Sequence, residues 1–126
     1  MKKTRRSTLV AAAILFAAVT PARAEMTASS FFEFYDSPSA MVRQSTKSFL
    51  EGITSGLGWA NALAATDGNP RTNKLYCQPK NLELTHPQSL NMLRRYVEKF
   101  PRRANDPVGL AMFGALHSTF PCEEGK

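Results

Sequence analysis

The chain has 126 residues, 43% of them hydrophobic and 21% charged, with sixteen basic residues against ten acidic ones and a formal charge of +6. Five of the basic residues (Lys2, Lys3, Arg5, Arg6 and Arg23) precede residue 25 and none of the acids does, so the remaining 102 residues carry a net +1. A domain that grips a phosphate backbone keeps its basic surplus, so no nucleic-acid partner is expected, and 102 residues suffice for one compact domain.

The first element is an address. Met1-Lys2-Lys3-Thr4-Arg5-Arg6 is a cationic start, Leu9 to Val19 an apolar run, and Pro21-Ala22-Arg23-Ala24 a small-residue cleavage site. Together they predict a Sec-type signal peptide over residues 1–24, cut after Ala24 through the Ala22-x-Ala24 pattern, with Glu25 as the first mature residue. The apolar run of 11 residues falls well short of the roughly 20 needed to cross a bilayer. Arg5-Arg6 invites a twin-arginine reading, but Thr8 stands where that signal wants a large apolar side chain. No cysteine lies near the cut, so no lipid anchor is expected and no membrane attachment after cleavage.

Residues 25–126 form the predicted single domain. Its first segment, to Pro38, places Phe31, Phe32, Phe34 and Tyr35 within five positions. Core packing is the favoured reading for so much aromatic surface, with a protein-contact patch as the alternative. From Pro38 to about Ala65 the spacing of Val42, Thr46, Phe49, Ile53, Gly56, Ala60 and Leu63 predicts one long helix with these residues on its buried face. Ser37 is its expected cap. Gly52 and Gly56, one turn apart, are disfavoured inside a helix and mark a place where another backbone comes close. Thr66-Asp67-Gly68-Asn69-Pro70 ends the helix.

Arg71 to Thr85 reads as an ordered loop tied down by Cys77, with a short extended piece as the alternative. Thr85 and Gln88 have capping-box spacing and open a second helix, whose apolar face is Leu90, Leu93, Val97 and Phe100 and whose stop is Pro101. A third helix is expected from Asp106, with Pro107 in its first turn and Val108, Ala111, Met112, Ala115, Leu116 and Phe120 as the buried stripe. No stretch alternates over strand lengths. The fold class is therefore all-α: a small compact bundle of about four helices, counting the aromatic segment.

Cys77 and Cys122 are the only cysteines. In an exported chain an even count reads as a disulfide. The rival is a zinc site from Cys77, His86, His117 and Cys122, which lacks paired ligand spacing. Catalysis would need Ser or Cys beside His and an acid. His117 and Ser118 are sequence neighbours that point to different sides of a helix, and His86 beside Thr85 and Glu83 fits local capping. No enzyme activity and no cofactor are expected.

Four segments carry a family likeness: Phe49-Leu50-Glu51-Gly52 on the long helix, Cys77-Gln78-Pro79, Tyr96-Val97-Glu98-Lys99-Phe100-Pro101, and Ala115-Leu116 through Phe120-Pro121-Cys122. In this order behind a signal peptide, the chain resembles the Rap/Tai-type immunity proteins of bacterial type VI secretion systems. The likeness covers roughly Phe49 to Cys122. It implies a small, disulfide-bonded, all-α periplasmic protein, commonly a homodimer, that binds and neutralises a secreted peptidoglycan-cleaving effector of amidase type. Many members carry a second cysteine pair near the N-terminal helix; this chain has none there. Candidate anchors for such a partner are the loop cations Arg71, Lys74, Arg102 and Arg103. A small periplasmic acid-stress chaperone, also helical, disulfide-bonded and dimeric, is the alternative, although the ten acids show no clustering that would make them a sharp pH sensor.

Overall fold

The computed structural model describes residues 25–66 and 74–122. Ala22, Ala24 and Arg71 lie outside them, and the expectations placed on those residues are not addressed by the structure. Four α-helices and one 3-10 turn make up the bundle: α1 (Ala28–Tyr35), α2 (Ala40–Thr66), α3 (His86–Lys99), the 3-10 turn (Pro101–Asn105) and α4 (Val108–Thr119). Among the described residues there is no strand, only an isolated bridge between Thr27 and Pro107. The expected class, an all-α bundle with one disulfide, is the observed one.

The aromatic segment folds as α1. Thr27 caps it, its hydroxyl accepting from the Ser30 amide at 3.2 Å. Its four aromatics divide by function. Phe31 is fully buried with Ala28, Phe32 lies under the Arg94 guanidinium at 4.9 Å, Tyr35 stacks on His86, and Phe34 stays 45% exposed. Core packing, the favoured reading, thus holds for Phe31, Phe32 and Tyr35, while Phe34 faces outward.

α2 begins after a Ser37–Ser39 turn whose carbonyls are held from within the helix: Arg43 Nη1 donates to the Ser37 and Pro38 carbonyls at 2.7 and 2.9 Å. At about 1.5 Å per residue its 27 residues extend about 40 Å, longer than any other helix here. Its buried face runs through Thr46, Leu50, Ile53, Leu57 and Asn61, with Thr46 and Leu50 fully covered. That corrects the expected stripe. Thr46 and Ile53 lie on it, but Phe49, Gly56, Ala60 and Leu63 are exposed.

Thr85 and Gln88 form the capping box that opens α3, with the Gln88 side-chain oxygen accepting from the Thr85 amide at 2.9 Å. Leu93 and Ser89 are buried beneath it, while Phe100 is 41% exposed. Pro101 does more than stop the helix: its fixed φ starts the 3-10 turn, which packs against α1 and α3.

α4 starts two residues later than the sequence pattern indicates. Asp106 and Pro107 are extended, because the chain around Thr27 pairs with them: the Ala28 amide donates to the Asp106 carbonyl at 3.0 Å and the Val108 amide to the Met26 carbonyl at 2.8 Å. Those bonds pin the beginning of the fold to the entrance of its last helix. From there Val108, Ala111, Met112, Ala115 and Leu116 are all buried as expected. Each large apolar side chain so covered contributes about 1.5–3 kcal/mol relative to exposure.

Candidate protein-contact surface

Cys77 and Cys122 are bonded to each other, closing a sequence separation of 45 residues. Beside the bridge the Cys77 amide donates to the Phe120 carbonyl at 2.8 Å, so covalent and backbone bonds join the loop to the end of α4 at one corner. The loop is tied to α2 as well. Asn61 Oδ1 accepts from the Leu75 and Tyr76 amides at 2.8 and 3.1 Å, and its Nδ2 donates to the Tyr76 carbonyl at 3.0 Å. Tyr76 is 2% exposed, and burial pushes its phenol above the ordinary value of 10.0. The disulfide consumes both thiols of the zinc alternative, and no three metal-binding side chains cluster among the described residues.

The candidate anchors are spread out. Glu25, expected as the first mature residue and not as an anchor, is exposed at the start of the described fold. Lys74 precedes the disulfide loop and is half-buried. Arg102 and Arg103 are exposed on the 3-10 turn, where Arg103 donates to Asp106 at 3.0 Å; that hydrogen bond, then the carboxylate's charge, raises the guanidinium's already high value. His117 and Ser118 are both exposed near the end of α4, where the His117 ring lies 6.1 Å from Phe113. The structure does not bring these residues together.

His86 is placed otherwise than its sequence neighbours indicate. Its ring stacks on Tyr35 at 5.9 Å, Nε2 lies 3.4 Å from the Tyr35 hydroxyl, and Nδ1 lies 3.9 Å from a Glu51 carboxylate oxygen. Nδ1 is buried without a hydrogen-bond partner. Tyr35, Glu51 and His86 come from α1, α2 and α3, so the cluster ties three helices together at one point.

The described surface carries several grooves, two of them of about 430 Å³ or more. One, of about 600 Å³, lies between α3 and α4 and is lined by Arg95, Tyr96, Lys99 and Phe100 with Ser118 and Thr119. Tyr96 packs against Gly114, where a Cβ would meet the Tyr96 ring. The second, of about 430 Å³, is apolar and lies between α1 and α2, lined by Met26, Phe34, Met41, Val42, Ser45, Thr46 and Phe49.

That second groove continues into a face that sequence reasoning missed. Met41, Phe49, Trp59 and Leu63 are 80%, 42%, 73% and 64% exposed and lie on one side of α2. Gly52 and Gly56 sit among them with nothing beyond their own helical turn within 4 Å of where a Cβ would stand, so the close approach expected of them is not made among the described residues. The sequence did contain the signal. Positions 41, 45, 49, 52, 56, 59 and 63 follow helical steps as well as the buried stripe does, and a helix apolar on two faces has two partners to find. Compared with family models, curated proteins and solved structures, the chain matches none.

Proposed function

We propose that the chain is exported to the periplasm behind a cleavable leader, residues 1–24. There residues 25–126 act as an immunity protein, binding and neutralising a secreted, peptidoglycan-cleaving effector of amidase type. In this reading the protein performs no catalysis and needs no cofactor. Inhibition requires only a surface complementary to the effector, held rigid and carrying a few buried anchors.

The observation that carries the reading is where the four segments of the family likeness lie and that two of them are bonded to each other. Phe49-Leu50-Glu51-Gly52 lies in the middle of α2, and Tyr96 to Pro101 closes α3 into the 3-10 turn. Cys77-Gln78-Pro79 is bonded to Phe120-Pro121-Cys122 through the disulfide and the Cys77–Phe120 backbone bond. A bridge of this kind forms and persists where thiols stay oxidised, which accords with an exported protein.

The test is capture of tagged protein from the periplasm of the source bacterium at neutral pH, while its secretion system is active. One small cell-wall hydrolase at near-equal amount is the expected outcome. A spread of unrelated envelope proteins that grows as pH falls would replace this reading with the acid-stress chaperone.

A further inference from the structure

We infer that the groove along α3 is a binding site for an extended, acidic peptide segment of a protein partner, with an apolar residue at each end of the segment. Such a segment need not come from the effector proposed above. The groove of about 600 Å³ between α3 and α4 does not stop at Met92. Met92 and Arg95 also line a hollow of about 230 Å³ walled by Leu82, Leu84 and Phe120, so the two form one trough. From Gln88 to Phe100 the trough follows twelve positions of the chain, about 18 Å at the helical rise of about 1.5 Å per residue. Five or six residues of extended peptide, at about 3.3 Å each, fill that length.

The polar lining sets the charge of the occupant. Arg95 and Lys99 are exposed on it. Neither takes part in the ion pairs of the described residues, which join His86 to Glu51 and Arg103 to Asp106. Gln88 commits its side-chain oxygen to the Thr85 amide at 2.9 Å, which leaves its NH2 to donate. A guanidinium and an ammonium only donate, and Ser118 adds a hydroxyl. Glu98 is the one carboxylate of the lining, so two cations against one anion leave a net +1. Donors in such excess over acceptors are matched by carboxylates, and Arg95, at the middle of the trough, can hold one through two parallel hydrogen bonds.

The apolar lining sets the ends. Phe120 with Leu82 and Leu84 makes one end apolar. At the other, the exposed Phe100 ring is flanked by Tyr96, with centroids 5.1 Å apart, and by the Lys99 ammonium 5.4 Å from its centre. The Tyr96 and Phe100 planes are inclined at 57°, which makes a notch for one side chain. A sugar ring stacks on a flat aromatic platform, which two rings at this angle do not form together. The shape thus favours peptide over an acidic glycan. One wall is fixed before the occupant arrives, because the Phe120 carbonyl is bonded to the Cys77 amide beside the disulfide.

The test is an NMR titration of the purified protein with the blocked hexapeptide acetyl-Leu-Ala-Glu-Glu-Ala-Phe-amide, beside the same peptide with both Glu replaced by Gln. Saturable shifts at the amides of Gln88, Arg95, Lys99 and Ser118 are expected with the acidic peptide, and binding about tenfold weaker with the neutral one. Arg95→Gln, an exposed substitution that leaves the core untouched, is expected to weaken the acidic peptide about tenfold. Glu98→Gln is expected to tighten it about threefold, a gain that damage to the fold does not produce. No saturable shift at millimolar acidic peptide, equal affinity for the neutral peptide, or shifts confined to other faces would each overturn the proposal. So would tighter binding of a glucuronate oligosaccharide at the same residues, which would make the trough a glycan site.

Discussion

The Asn61 side chain is bonded to both backbone polar groups of Tyr76, accepting from its amide at 3.1 Å and donating to its carbonyl at 3.0 Å. One amide on α2 thereby stands in for a strand neighbour and holds the disulfide loop against the helix. Asn61→Ala leaves these groups of a buried residue unpaired and is expected to cost about 1–3 kcal/mol. Asn61→Asp keeps the accepted bonds but sets a carboxylate against the Tyr76 carbonyl, so it too is expected to destabilise. Urea unfolding of the three proteins checks this, and a midpoint unchanged in Asn61→Ala would contradict the role given to the side chain.

The disulfide acts on the same loop from its other side. Its 45-residue separation corresponds to about 4 kcal/mol of constraint on the unfolded chain in the loop-entropy account. For a domain of this size that lowers the melting temperature by roughly 20 °C or more on reduction. Scanning calorimetry with and without reductant tests it, and coincident melts would remove the bridge from the stability of the fold.

Gly114 is the one described glycine whose missing side chain the packing inside the chain requires. A Cβ there lies 3.0 Å from Tyr96 Cε1 and closer still to Cζ and the hydroxyl. Gly114→Ala is expected to destabilise by about 1–3 kcal/mol through overpacking, against the small gain in helix propensity. Adding Tyr96→Ala removes the clash, so the double variant is expected to lose less than the sum of the two single losses. Additive losses in a double-mutant cycle would show that the two positions do not touch.

Burial raises the Tyr76 phenol above 10.0, and the sign of its effect on stability follows. Above that pH the unfolded chain gives up the phenol proton while the folded protein still holds it. The contribution of the neutral phenol is therefore complete below pH 10 and fades as pH rises past it. Melting temperatures from pH 8 to 11 are expected to fall more steeply for wild type than for Tyr76→Phe. Parallel curves would contradict the buried, neutral phenol.

Much of the fold was legible because local chemistry decided it. Thr85 and Gln88 form their capping box whatever surrounds them, and the α4 stripe from Val108 to Leu116 matched a single buried face. Where long-range contacts decide, the sequence pattern misled. Asp106 and Pro107 look like the start of a helix, but the backbone around Thr27 takes their hydrogen bonds. On α2 two apolar faces compete, and periodicity alone could not say that Leu50, rather than Phe49, points inward. His86 lies close to Glu83 in sequence, but the bundle brings it to Tyr35 and Glu51, which are distant in the chain. The exposed apolar face of α2 was least legible of all, since an exposed Trp59 looks in sequence like any buried one.

The immunity account is tested most directly in sister cells. The gene is deleted from the source bacterium, which is then grown at high density with its secretion system active. The account predicts lysis by neighbouring kin, reversed by an exported copy of residues 25–126 and unrelieved by the same residues without a leader. Undiminished survival of the deletion strain in contact with effector-secreting kin would contradict it.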